Sequence, residues 1–261
     1  RQVVLQMLVK MEKNNSYSNI MLDETLNKSQ LSPQDKKFAA ALFYGVTERI
    51  LTLDLIIKKY SARPVDKLSD EVKQILRMGI YQLLYMDSVP ESAAVNESVI
   101  LAQANKNPVI KGFINAVLRS FIRDGKVLPK GKNEIENLSI KYSCPEWLIQ
   151  KWFSDYGEEA ALSMLRTSLG RAPITIRVNT QKTNTDTIIE ELAKEDIIAE
   201  KIALIDNCLE INNAVSIEKS EAYKKGYFHV QDIASQLCCI ALDAKEGEIV
   251  LDLCSAPGGK A

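Results

Sequence analysis

Two apolar periodicities divide this chain, and together they require a helical part followed by a mixed part. Before residue 125, apolar side chains recur every three or four positions, which is the spacing of one helix face. Residues 174–179 instead alternate apolar and polar side chains, as a half-buried strand does. The sequence therefore predicts a multidomain protein, in agreement with its length of 261 residues.

Residues 1–125 predict an all-α domain of about six or seven helices. Proline opens three of them, at Pro33, Pro90 and Pro108, because the first turn needs no N–H from that residue. The two clearest apolar faces consist of Val72, Ile75, Leu76, Gly79, Ile80, Leu83 and Leu84, and of Ile110, Phe113, Ile114, Val117, Leu118 and Phe121.

The rest of the chain predicts three further segments. Residues 126–170 are expected to be a linker (126–145, which has no clear periodicity) and helices, with Trp147 and Trp152 as core anchors. Residues 171–232 follow a βαββαβ order, which is typical of a small α+β domain of ferredoxin-like or RNA-recognition-like type. Residues 233–261 predict a helix, a buried strand at 248–253 and a glycine turn, which is how a Rossmann-like α/β domain begins.

Composition excludes little beyond a membrane or secreted protein. Lysine and arginine number 33 against 34 acidic residues, a net charge of −1, but residues 1–125 carry 17 and 13, a net +4. Such a balance neither marks nor excludes a nucleic-acid partner. No apolar run reaches the ~18–20 residues that cross a bilayer, and no signal peptide opens the chain. Five cysteines without metal-type spacing favour a reduced, cytoplasmic protein with no metal site.

One basic helix face is a candidate RNA contact. Lys111, Arg119 and Arg123 lie opposite the apolar face of the helix that Pro108 opens, and Arg119 and Arg123 are one turn apart. Such a group is either an ordinary solvated face or a phosphate-binding patch, and both interpretations stay open at this point.

The turn at residues 252–260 is the segment that carries chemistry. After a strand, Gly258 and Gly259 allow a sharp turn and let a ligand approach the backbone. A phosphate-binding P-loop is excluded, because Cys254 stands where it requires glycine and Ala261 where it requires serine or threonine. Asp252, at the end of the strand, would suit a ligand amino group.

This turn resembles the first cofactor motif of the S-adenosylmethionine-dependent RNA cytosine-C5 methyltransferases. Gln231-Asp232 resembles a segment that precedes the motif in those enzymes. Residues 43–46, 79–85 and 112–119 resemble the NusB-like domain that is fused to members acting on small-subunit ribosomal RNA. By this resemblance the S-adenosylmethionine loop consists of Cys254, Ser255, Ala256, Pro257, Gly258, Gly259 and Lys260.

The resemblance also implies a reaction and a partner. In this family a cysteine thiolate adds to C6 of a cytosine, C5 takes the methyl group, and a base removes the C5 proton before the thiol leaves. The family's nucleophile lies in a Thr-Cys motif downstream of the first cofactor motif, so no catalytic residue is expected within these 261 residues, and the chain is expected to stop before the cofactor domain is complete. The implied partner is 16S ribosomal RNA, free or in a small-subunit assembly intermediate.

Three alternatives stay open from the sequence. The chain could be a non-catalytic docking fragment for RNA or protein. It could be a transcription factor of the NusB type, although about half of the chain follows the NusB-like part. Within the enzyme class, the substrate could be transfer RNA, because a basic patch reports phosphate contact and reads no base.

Overall fold

Helices form the first part of the chain in the computed structural model, which describes residues 1–14, 18–102, 108–170, 172–212, 217–253, 255–256 and 258–259. Chain contacts define two compact units, residues 1–170 and residues 171–261. The helices of the first unit are α1 (Gln2–Asn14), α2 (Ser18–Lys28), α3 (Pro33–Glu48), α4 (Ile50–Tyr60), α5 (Asp70–Tyr85), α6 (Glu91–Leu101), α7 (Pro108–Arg123), α8 (Glu134–Tyr142), α9 (Glu146–Tyr156) and α10 (Glu158–Thr167). Seven of them, in the described ranges before residue 125, confirm the predicted all-α domain.

Helix α5 is the centre of the first unit, where it packs against α1, α3, α4, α6 and α7. Its predicted apolar face is buried from Val72 to Leu83. Gly79 lets α6 and α7 approach closely, since a Cβ there would lie 2.9 Å from side-chain atoms of both Ser98 and Leu118. A larger residue at this position would therefore push the three helices apart.

A buried arginine ties three helices together. The guanidinium of Arg77 on α5 donates two hydrogen bonds of 2.7 Å to the carboxylate of Asp54 on α4, in a bidentate pair. It also lies 3.4 Å from Glu12 on α1, and that carboxylate pairs with Lys73 as well. Because the charges are paired and hydrogen-bonded, the arginine is held inside the unit without an uncompensated charge.

Helices α8 to α10 correct one prediction from the sequence. Residues 134–142, which the sequence predicts to be part of a linker, form α8, because Asn133 caps the helix by accepting the N–H of Glu136 at 2.8 Å. The hydroxyl of Thr52 on α4 donates to the carbonyl of Ile140 at 2.6 Å in a buried position. Trp152 packs in the apolar cluster of these helices as predicted, whereas Trp147 is 65% exposed and is no core anchor.

The second unit confirms the predicted ferredoxin-like order. Its strands are β1 (Ile174–Val178), β2 (Ala199–Lys201), β3 (Cys208–Ile211) and β4 (Phe228–Val230), and its helices are α11 (Thr185–Ala193), α12 (Glu221–Lys224) and α13 (Ile233–Leu242). The sheet order is β2-β3-β1-β4, and all three pairings are antiparallel. The apolar face of the sheet packs against Ile188, Leu192 and Ala222 from α11 and α12.

A second prediction is also corrected: the buried strand expected at residues 248–253 does not form. These residues form no strand, and Ile249, Leu251 and Leu253 are exposed. A strand of a parallel sheet exists only through hydrogen bonds to its neighbours. No described strand pairs with this segment, so the chain does not show the start of a Rossmann-like sheet. Within the described residues, no helix combines the length and the apolar character that a membrane span requires.

Candidate functional site

Two candidate sites follow from the sequence, and each lies within one unit. The glycine turn belongs to the second unit, and the basic face of α7 belongs to the first. Of the residues that the resemblance assigns to the turn, Ser255, Ala256, Gly258 and Gly259 are described. Cys254, Pro257 and Lys260 lie outside the described residues.

The described part of the turn has the backbone that a close ligand approach requires. Gly258 has a φ of +94°, in the region that favours glycine, and its N–H donates to the carbonyl of Ser255. A Cβ built at Gly258 or Gly259 would meet no atom within 4 Å. The four described residues are exposed and small. A turn of this kind admits a ligand against its backbone groups, so the residues present fit the binding of a cofactor's polar end.

Gln231 connects the turn to the sheet, a role that residue type and spacing alone do not predict. Its Nε2 donates to the carbonyl of Gly259, although 28 residues separate the two. The side chain is 4% exposed. A polar residue directly after a strand, in the Gln231-Asp232 segment already noted, was the available signal.

The basic residues of α7 differ in exposure. Arg119 and Arg123 are exposed, whereas Lys111 is half-buried at the edge of the same face. Arg119 donates to Asn115 at 3.1 Å and Arg123 to Ser120 at 3.1 Å, both within the helix. The structure therefore brings the two arginines together on one exposed surface and leaves Lys111 aside.

The two arginines have no carboxylate partner within 4 Å among the described residues. Asp124 follows Arg123, but its carboxylate accepts from Lys59 at 2.8 Å and from the hydroxyl of Tyr60 at 2.5 Å. Those two hydrogen bonds lower the pKa of Asp124. Because Asp124 is already paired, the positive charge of α7 stays available to a phosphate.

Two of the described cysteines, Cys144 and Cys208, are poorly suited to nucleophilic chemistry. Burial raises the pKa of the Cys144 thiol and of the Cys208 thiol, which disfavours the thiolate. The second face of the sheet is also unsuited to base stacking, because its paired positions carry Thr175, Arg177, Cys208, Glu210 and His229 and no aromatic ring.

Comparisons with known proteins agree with this organisation. Residues 1–123 match the NusB family, and residues 144–218 match the ferredoxin-like domain of the RsmF/B-like methyltransferases. The crystal structure of PH0851, 24% identical, has the same fold, with a TM-score of 0.72 over 100% of this chain and 59% of that one.

Curated relatives name the enzyme class. The chain is 34% identical over its full length to the probable ribosomal RNA small subunit methyltransferase B of Bacillus subtilis (strain 168), of which it covers 58%. It is 31% identical over 95% of its length to the ribosomal RNA small subunit methyltransferase B of Escherichia coli O157:H7, of which it covers 56%. The predicted resemblance to methyltransferases of small-subunit ribosomal RNA is therefore confirmed, for a chain that spans little more than half the length of these relatives.

Proposed function

We propose that this chain belongs to an S-adenosylmethionine-dependent enzyme that methylates C5 of a cytosine in 16S ribosomal RNA. The observation that carries the proposal is the similarity to small-subunit methyltransferases B, which runs through both units and into the glycine turn. The turn's open backbone supports cofactor binding, and the exposed arginines of α7, which lack a carboxylate partner in the described part of the chain, support RNA docking.

Each unit has its own part in the proposed reaction. Arg119 and Arg123 bind phosphates of the RNA and orient it, without reading its sequence. The backbone of Ser255, Gly258 and Gly259 binds the methionine end of S-adenosylmethionine, which supplies the methyl group. The substrate is an intracellular RNA, so we assign the activity to the cytoplasm.

The nucleophile of the proposed reaction is a cysteine outside this chain. The sequence contains no Thr-Cys dipeptide, and the described thiols with a shifted pKa are buried. A thiol with a raised pKa adds poorly to C6 of a pyrimidine, since the thiolate is the reactive species. The chain's residues therefore bind and orient, and the covalent step belongs to a part of the native protein that corresponds to the remaining length of its relatives.

The test is a methyl-transfer assay with the native protein at its full natural length. We would incubate it with labelled S-adenosylmethionine and either unmodified 16S ribosomal RNA or unmodified transfer RNA, and then identify the labelled nucleoside by mass. We expect 5-methylcytidine in 16S ribosomal RNA and none in transfer RNA.

The other outcomes separate the alternatives. Label in transfer RNA alone would replace the proposed substrate. A different methylated nucleoside would contradict the C5 chemistry. Tight RNA binding without any transfer would favour a docking protein, the non-catalytic alternative.

A further inference from the structure

The backbone of Gln231 is fixed from two directions. Its N–H donates to the carbonyl of Thr175 on β1 at 3.0 Å. Its own carbonyl accepts from the hydroxyl of Thr175 at 2.7 Å and from the side-chain amide of Gln236 on α13 at 3.0 Å. Three hydrogen bonds therefore hold this residue to the sheet and to the helix that follows it.

Burying the side chain of Gln231 lowers the stability of the fold. It is 4% exposed, and its Oε1 has no hydrogen-bond partner among the described residues. A buried acceptor without a donor is unfavourable, and an apolar side chain of the same size would fill the space without that penalty. Packing alone therefore does not explain an amide at this position. The hydrogen bond made by its other polar atom, Nε2, offers a reason for it.

That atom holds the glycine turn. Nε2 donates to the carbonyl of Gly259, next to Gly258 with its positive φ. Two backbone bonds in the same part of the chain are local: Gly258 N–H donates to the carbonyl of Ser255, and Glu248 N–H donates to the carbonyl of Lys245. The amide of Gln231 therefore joins an exposed turn to a rigid sheet, over a sequence separation of 28 residues.

We propose that Gln231 is the positioning residue of the cofactor turn, fixing the backbone of Gly258 and Gly259 before the ligand arrives. The role in binding rests on the proposed function, in which this turn binds S-adenosylmethionine. A turn that is already ordered loses less conformational freedom when it binds. Because its observed contact is with the backbone of the turn, Gln231 is expected to act on cofactor affinity and to leave the chemical step unchanged.

The variants are Gln231→Glu, which removes the Nε2 donor at nearly constant shape, and Gln231→Met, which removes both polar atoms without adding a charge. The matched control is Asn179→Asp, because Asn179 also donates a side-chain amide to a glycine carbonyl, that of Gly226 at 3.2 Å, after β1 in the same unit. All variants are made in the native protein at full length. Melting temperature identifies a variant that fails to fold, and Gln231→Met keeps the test usable if a buried carboxylate unfolds the protein.

Two readouts test the proposal. The first is hydrogen exchange of the amides of Ser255, Ala256, Gly258 and Gly259 without cofactor, which we expect to be faster in both Gln231 variants and unchanged in Asn179→Asp. The second is binding of S-adenosylmethionine. We expect the affinity to fall and the KM to rise about five- to tenfold, as for one lost hydrogen bond, with kcat close to wild type.

The outcomes distinguish this inference from the function on which it rests. Wild-type exchange and wild-type cofactor affinity in both Gln231 variants would overturn the positioning role while leaving the methyltransferase intact. An equal loss in Asn179→Asp would also overturn it, because the effect would then be general loosening of the sheet. If the native wild-type protein binds no S-adenosylmethionine, the proposed function fails, and the exchange measurement alone decides whether Gln231 holds the turn.

Discussion

Gly45 shows how a single residue sets the packing of two helices. It lies on α3 opposite the ring of Tyr81 on α5, and a Cβ at this glycine would be 1.9 Å from the Cζ of that ring. Tyr81 also packs against Tyr85, with ring centroids 5.2 Å apart and ring planes tilted by 41°. The ring fills the space that a side chain at residue 45 would need.

We predict that Gly45→Ala destabilises the chain by about 2 kcal/mol, because the Tyr81 ring must leave its position. Urea unfolding followed by helix circular dichroism measures the change. The control is Gly112→Ala on α7, where a Cβ meets nothing within 4 Å. That substitution should be neutral or stabilising by up to about 1 kcal/mol, since alanine is the better helix former.

A double-mutant cycle locates the cause. In a Tyr81→Ala background the ring is absent, and the cost of Gly45→Ala should largely disappear. If the two substitutions are additive, the clash with Tyr81 is not the reason for the loss.

At the scale of elements, helix α7 combines a structural face with a free charged face. Ile114, Val117, Leu118 and Phe121 are buried on one side. Arg119 and Arg123 are exposed on the other, and they bond only to polar groups of their own helix among the described residues. The two faces are independent enough to be tested separately.

We predict that Arg119→Gln with Arg123→Gln weakens binding to 16S ribosomal RNA and makes its salt dependence shallower. Each lost phosphate contact lowers the magnitude of the negative slope of log K against log[salt] by about 0.7–0.9. Filter binding of the native protein at several salt concentrations measures both quantities, and melting temperature should stay unchanged.

Lys10→Gln with Lys13→Gln on α1 is the matched control. These lysines are exposed, and the change removes the same two charges. A slope that changes equally in both double variants would show that total charge matters and that α7 has no special position.

Elements with strong internal signals could be predicted from the sequence, whereas those that depend on partners could not. The apolar faces of α5 and α7 are long and periodic, and the βαββαβ order follows from alternation and spacing. Helix α8 is short and mixed in composition, so its formation depends on the cap at Asn133 and on the hydrogen bond from Thr52. The apolar run at residues 248–253 predicts a strand. A strand also needs neighbouring strands to pair with, and the sequence of the segment alone does not show whether they are present.

The candidate site was predictable to the same extent. The glycine turn and the two arginines follow from residue types and spacing alone. The position of Lys111 at the edge of its helix face, and the bond from Gln231 to Gly259, require three-dimensional contacts.

At the scale of the whole molecule, the first compact unit ends at residue 170, whereas the sequence predicts a domain that ends at residue 125. The longer unit makes residues 126–170 part of what stabilises the first seven helices. Thr52 on α4 bonds to Ile140, and Arg49 donates to the carbonyl of Lys141 at 2.8 Å. Glu48 accepts the N–H of Gly170. Helices α8 to α10 are thus joined to the first seven by hydrogen bonds and by packing.

We predict that a fragment of residues 1–170 melts cooperatively and at least roughly 4 °C above a fragment of residues 1–125, because the shorter one loses these bonds and exposes apolar surface of α4. Thermal unfolding by circular dichroism compares them. Equal melting temperatures would show that the first seven helices form an independent domain that gains nothing from α8 to α10.

Helices α11 and α12 cover one face of the sheet in the second unit, and the paired positions of its other face carry no phenylalanine, tyrosine or tryptophan side chain. Gln236 of α13 reaches that face at the sulfur of Cys208, 3.2 Å away. The second unit is therefore suited to supporting the glycine turn, and this face of its sheet is not suited to stacking bases. Its antiparallel strands anchor the glycine turn through Gln231, and under the proposed function we expect base recognition to lie outside this face of the sheet.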